Sequence, residues 1–186
     1  MLAALGGCAA PLPKVSEPSA PVQQLAGPEA VKGFYLSGRI GVHYDDQGFS
    51  GTLQWHHGPQ GDEALILSPL GQGVARIVGN GDGVTLTTAD QKVFQARDEE
   101  ELTQQVLGWA LPLRGLRYWV RGLAVPGSEA ERVFGPDHHL TQLRQDGWRI
   151  DYLDYSEAQG LQLPTRITMA NGQVEVKLVI DRWSME

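Results

Sequence analysis

Apolar and polar residues alternate with a period of two through most of this chain. Leu36, Gly38, Ile40, Val42 and Tyr44 interleave with Ser37, Arg39, Gly41 and His43, and Phe49, Gly51, Leu53 and Trp55 interleave with Ser50, Thr52, Gln54 and His56. Each run reads as a half-buried strand, and Asp45-Asp46-Gln47-Gly48 between them supplies the small and polar residues of a hairpin turn. Asn80-Gly81-Asp82-Gly83 separates residues 75–78 from residues 84–88 in the same way, and Asp90-Gln91 turns the chain into residues 92–96. A two-residue turn at Asn171-Gly172 sets Met169 opposite Val174, Ile167 opposite Val176 and Thr165 opposite Leu178. A turn at Asp146-Gly147 sets Leu143 opposite Ile150 and Thr141 opposite Tyr152. In both hairpins the apolar residues gather on one face, as a sheet packed on one side requires.

The period changes in two places. Asp98, followed three residues later by Glu101, caps a run containing Leu102, Val106 and Leu107, with acidic residues at the positive end of the helix dipole. After Pro112, Leu113, Leu116, Trp119 and Val120 recur at helical spacing up to Gly122, and Arg114, Arg117 and Arg121 occupy the opposite, solvated face. A weaker helix is read over residues 28–33. The pattern therefore predicts a mainly β (α+β) fold: a single antiparallel sheet, curled enough to enclose something, with a few helices lying over one mouth or face.

Length and charge narrow the class. Of the 186 residues 41% are hydrophobic and the net charge is −7, which suits one globular domain over residues 28–186. An acidic balance without a Lys/Arg cluster argues against a nucleic-acid partner. The one cysteine, Cys8, has no partner for an internal disulfide. It ends Leu5-Gly6-Gly7-Cys8, which resembles the lipobox of bacterial lipoproteins, so a covalent N-terminal lipid on Cys8 is expected. Residues 1–7 are too few for a complete secretory signal and are expected to be the remnant of a longer one. Pro11, Pro13, Pro18 and Pro21 make residues 8–27 a lipidated tether with a reach on the order of 25 Å. Several acyl chains at about 0.8 kcal/mol per methylene would hold such a chain firmly to a membrane. Alanine rather than aspartate at position 9 points to the outer membrane under the enterobacterial sorting rule.

No catalytic or metal constellation stands out. Asp137-His138-His139 superficially resembles a phosphoesterase signature but lacks the further aspartates such a site needs, and adjacent His56 and His57 point to opposite faces of a strand. There is no nucleophile elbow, P-loop or dinucleotide fingerprint. The reading is a non-enzyme with no catalytic residue, no metal and no cofactor beyond the lipid on Cys8.

Five segments carry a family resemblance: Gly38-Arg39-Ile40-Gly41-Val42, residues 65–72 around Ser68-Pro69-Leu70-Gly71, residues 107–122, Gly147-Trp148-Arg149-Ile150-Asp151-Tyr152, and residues 177–183. In order and spacing they resemble LolB, the outer-membrane lipoprotein receptor family, over residues from about 34 to 183. The resemblance implies an incomplete β-barrel enclosing a hydrophobic cavity under a helical lid. It further implies a monomer, anchored on the periplasmic face of the outer membrane, that accepts cargo lipoproteins from the periplasmic carrier LolA. The cargo would then pass into the inner leaflet of that membrane without nucleotide energy. Pro69, Leu70 and Gly71 match the family's membrane-insertion loop. Ile40, Val42, Leu53, Trp55, Leu65, Leu67, Trp119, Leu178 and Ile180 are the expected acyl-chain cavity. The alternative is a structural or assembly outer-membrane lipoprotein with a packed core and a partner-binding sheet edge.

Overall fold

The computed structural model describes residues 28–107 and 113–186. Cys8 and the tether lie outside them. Eleven strands form one antiparallel sheet: β1 (Phe34–Tyr44), β2 (Gln47–Gly58), β3 (Gly61–Leu67), β4 (Gly73–Asn80), β5 (Gly83–Thr88), β6 (Val93–Ala96), β7 (Ala130–Phe134), β8 (Leu140–Gln145), β9 (Trp148–Ala158), β10 (Leu161–Ala170) and β11 (Val174–Met185). The spatial order β6-β5-β4-β3-β2-β1-β11-β10-β9-β8-β7 is a meander broken only where β1 pairs with β11. Strands β6 and β7 remain as free edges, so the barrel is open. Two helices, α1 (Glu99–Leu107) and α2 (Leu113–Trp119), belong to the connection between β6 and β7.

Most of the hairpins follow the sequence pattern. Tyr44 pairs with Gln47 across the first turn, Asn80 with Gly83 across the fourth, and Leu143 with Ile150 beside Asp146-Gly147. Asp146 and Gly147 both have positive φ (51° and 78°), the geometry that matches a two-residue turn to strand twist. The hairpin at Asn171 differs from its predicted register by two residues. Ala170 pairs with Glu175, Met169 with Val176 and Ile167 with Leu178. The Asn171 side-chain oxygen accepts hydrogen bonds from Gln173 N (3.2 Å) and Val174 N (3.0 Å), and this Asx turn lengthens the loop. A shift of two preserves facing, so the same apolar residues still point inward.

The helix caps also match their sequence reading: Glu101 N donates to Asp98 Oδ1 (2.8 Å) at the start of α1, and Gly122 takes a positive φ of 76° after α2. Residues 28–33 differ, since only a 3-10 turn, Pro28–Ala30, forms there. Pro28 suits a first helical position, yet nothing downstream supplies a repeating apolar face before Phe34 enters the sheet.

Two apolar clusters fill the interior. Val84, Leu86 and Leu102 pack α1 against β4–β6, with Ile77 and Val106 alongside. The larger cluster joins Leu116, Trp119 and Val120 to the inner faces of β1, β2 and β8–β11, including Leu36, Trp55, Leu143, Ile150, Ile167 and Leu178. Gln145 is the buried polar clip of this region. It accepts from Trp119 Nε1 (3.0 Å) and Val125 N (2.8 Å) and donates to Val125 O (2.9 Å), which satisfies its amide and fixes the chain after α2.

Candidate functional site: an apolar cavity between two cores

Between the two clusters lies a cavity of about 90 Å³. Its walls come from alternate residues of neighbouring strands, which is why one parity of each strand defines it. Strand β1 gives Ile40 and Val42, β2 gives Leu53 and Trp55, β3 gives Ala64 and Ile66, β11 gives Val176 and Leu178, and Leu116 and Val120 close it from the α2 side. Ile77 and Val84 face it from the smaller cluster.

The nine residues predicted for this wall fall in three places. Ile40, Val42, Leu53, Trp55 and Leu178 line the cavity together. Leu65 and Leu67 sit on the alternate parity of β3, Leu65 opposite Gln54 and Arg76 and Leu67 opposite Thr52, while Ala64 and Ile66 take the inward positions. Three consecutive apolar residues give no parity of their own, and the register with Trp55 and Leu53 settles it. Trp119 and Ile180 are buried in the packed core outside the cavity wall, Trp119 against Trp148 at 6.1 Å between ring centroids.

The two ends of the cavity differ. At the Phe34 end, Phe34 meets Trp55 (5.1 Å) and Trp183 (5.5 Å) edge to face. Beside them sits a half-buried ionic node that the sequence pattern does not show. Asp62 accepts from Trp55 Nε1 (2.8 Å) and pairs with His57 Nδ1 (3.0 Å) and Arg117 Nε (3.1 Å), and Arg117 also pairs with Glu99. Burial raises the Asp62 pKa, but the His57 hydrogen bond and the Arg117 charge more than offset it, leaving the carboxyl below its ordinary value. The node joins α1, α2 and β3 and closes that end. At the opposite end, half-buried Ile40, Val42, Tyr44 and Ile66 are the covering.

The arginine stripe is thus not one solvated face. Arg114 is exposed, whereas Arg117 is in the node and Arg121 is buried, donating to the carbonyls of Pro28 (3.3 Å), Val31 (3.1 Å) and Arg117 (2.9 Å). Burial lowers the Arg121 pKa accordingly. No spacing rule on the helix could separate the three, because their partners are far away in sequence.

The loop from Ser68 to Gln72 is built to present a side chain. Gly71 N donates to Ser68 O (2.8 Å) and Ser68 N to Gln72 O (2.8 Å), with Gly71 at φ 80°. Leu70 at its tip is 88% exposed, the largest exposure of any large apolar residue described.

An open antiparallel barrel with helices closing an apolar cavity defines the class: a β protein whose curled sheet encloses an apolar interior space. The chain matches the family described as outer membrane lipoprotein LolB over residues 32–183. It is 39% identical to the outer-membrane lipoprotein LolB of Nitrosomonas europaea, covering all of this chain and 90% of the relative. It is 38% identical to that of Thiobacillus denitrificans, covering 97% and 91%. Among solved structures, a DUF1329 family protein from Desulfovibrio piger shares the fold with a TM-score of 0.51, at 7% identity over 86% of this chain and 88% of that one. This chain belongs to the LolB family.

Proposed function

We propose that this protein is an outer-membrane lipoprotein that takes lipoproteins from the periplasmic carrier LolA, holds their acyl chains in the cavity, and releases them into the inner leaflet. The apolar void between the two clusters carries this reading, because an ordinary packed interior leaves few voids larger than a water molecule. Membership in a family named for outer-membrane lipoproteins supports it. No helix among the described residues is long and apolar enough to cross a membrane. In this reading a lipid on Cys8, in its lipobox-like setting, supplies the attachment. The protein acts as a receptor and not as an enzyme: transfer runs downhill from cavity to bilayer, with no metal, cofactor or nucleotide taking part.

A cavity of about 90 Å³ is smaller than the roughly 300 to 1,000 Å³ of typical ligand pockets, so loading enlarges it. The sheet walls are tied by ladder hydrogen bonds along their length, whereas α1 and α2 lean on them through side chains. The helices are the wall that moves. An environment-sensitive apolar dye gains fluorescence with the native protein and is displaced by lipid. Leu178→Gln, which puts an amide between Ile40 and Ile167, weakens dye binding roughly tenfold while the thermal midpoint moves much less. A folded protein that neither binds the dye nor receives lipoprotein from a loaded carrier would refute the reading.

Attachment is tested separately. Cys8→Ala, exported to the periplasm, folds normally and leaves the membrane fraction. Continued sedimentation with outer membranes would show that something other than a lipid on Cys8 holds the protein.

A further inference from the structure

Along the inner parity of β2, Trp55, Leu53, Gly51 and Phe49 follow one another from the cavity toward the end of the sheet. Trp55 and Leu53 are cavity wall and Gly51 is buried, while Phe49 is 37% exposed. Phe49 pairs with Val42 on β1. Val42 lines the cavity on the inward face, and its strand also borders, with His43, Glu175 and Lys177, an open groove on the opposite face of the sheet. The Val42–Phe49 pair therefore carries the inward apolar face from the cavity wall to solvent at this end.

Gly51 shows what adjoins this pair. A Cβ there would lie 2.3 Å from Leu67 O and 2.9 Å from Phe49 Cζ, so the ring of Phe49 folds over a bare stretch of β2 against the last residue of β3. The loop that carries Leu70 begins at the next residue, Ser68. The far end of the cavity is shut by the Phe34–Trp55–Trp183 cluster and by the charges of Asp62, Glu99 and Arg117, across which a hydrocarbon chain would displace paired charge. Passage along the inward side of Val42 and Phe49, over the sheet and not through it, crosses none of those charges.

We propose that acyl chains leave the cavity for the bilayer along the inward side of the Val42–Phe49 pair, with Phe49 a positioning residue that keeps the route apolar from Leu53 to Leu70. This rests on the carrier reading above and adds the route to it. The partner at the exit is the hydrocarbon of a lipid bilayer, matching the exposed apolar residues Phe49 and Leu70 on adjoining elements.

The full chain is loaded with pyrene-decanoic acid and mixed with vesicles of phosphatidylethanolamine and phosphatidylglycerol, with equilibrium affinity measured alongside. Phe49→Asp, which sets a carboxylate in the route, lowers the transfer rate roughly tenfold and changes affinity less than twofold, and Phe49→Leu transfers like the natural protein. Transfer by Phe49→Asp within twofold of the natural rate overturns the exit. So does a loss of affinity equal to the loss of rate, which would make Phe49 plain cavity wall. If the natural protein binds no pyrene-decanoate, the carrier reading falls and the exit with it. Binding without an effect of Phe49→Asp on transfer leaves the carrier reading standing and removes the exit alone.

Discussion

Leu70→Glu leaves fold, membrane attachment and uptake from the carrier intact, and cuts delivery of cargo into lipid by tenfold or more. Leu70 contributes almost nothing to the folded domain, since 88% of its surface is in water and the loop conformation is held by backbone bonds between Ser68, Gly71 and Gln72. Those bonds also mean that little entropy remains to be lost when the tip enters a membrane. Moving a leucine out of water gains about 1.5 to 3 kcal/mol, a factor of roughly 10 to 150 in the population of membrane-facing orientations. A carboxylate reverses the sign, because its transfer into apolar surroundings is strongly unfavourable. Uptake is spared because position 70 lies outside the cavity wall. The measurement is a two-stage transfer assay, carrier to receptor and receptor to vesicles, run on the same preparation. Normal delivery, or loss of the first stage, would each remove Leu70 from the release step.

Alternation carried most of the fold because each strand is buried on one side, so Ile40, Leu53 and Leu178 could be assigned a common face before any pairing was known. The same logic failed for Leu65-Ile66-Leu67, where every position is apolar and only the partner strand distinguishes inside from outside. It also could not divide wall from core, since Trp119 and Leu178 are equally apolar and equally buried yet only Leu178 borders the void. Cavities arise where side-chain volumes fall short of the space between elements, a property of three-dimensional packing that a linear pattern does not encode. The ionic node was illegible for a related reason. Asp62, Glu99 and Arg117 each look like ordinary surface charges on their own elements, and only the topology brings β3, α1 and α2 to one point.

That node gives the largest expected effect on stability. Arg117→Met destabilises the protein by about 2 to 3 kcal/mol at neutral pH, a fall of roughly 5 to 10 °C in thermal midpoint. The usual loss on breaking a buried pair is about 3 to 5 kcal/mol, and the lower figure applies because about a quarter of the Arg117 side chain remains exposed and solvent screens part of the charge. Removing the guanidinium leaves the Asp62 and Glu99 carboxylates, both largely buried, without their shared cation. The pH dependence identifies this cause. In the natural protein the folded pKa of Asp62 is below its ordinary 3.8, so its contribution is present above that pH and is lost as pH falls through the lower folded value. In Arg117→Met one of the influences lowering that pKa is gone while burial still raises it, so the Asp62 carboxyl takes up its proton at higher pH than in the natural protein. The deficit between the two proteins is therefore full at neutral pH and shrinks on acidification through the carboxylate range. Denaturant titrations from pH 7 down to about pH 2.5, through the range below 3.8, measure it, with the triple variant Arg117→Met, Asp62→Asn, Glu99→Gln as companion. Neutral, similarly shaped groups recover most of the lost stability, because the unpaired buried charges are gone. A deficit that stays constant with pH, or that the triple variant does not relieve, would assign Arg117 a packing role and leave the closure of the Phe34 end to the aromatic cluster alone.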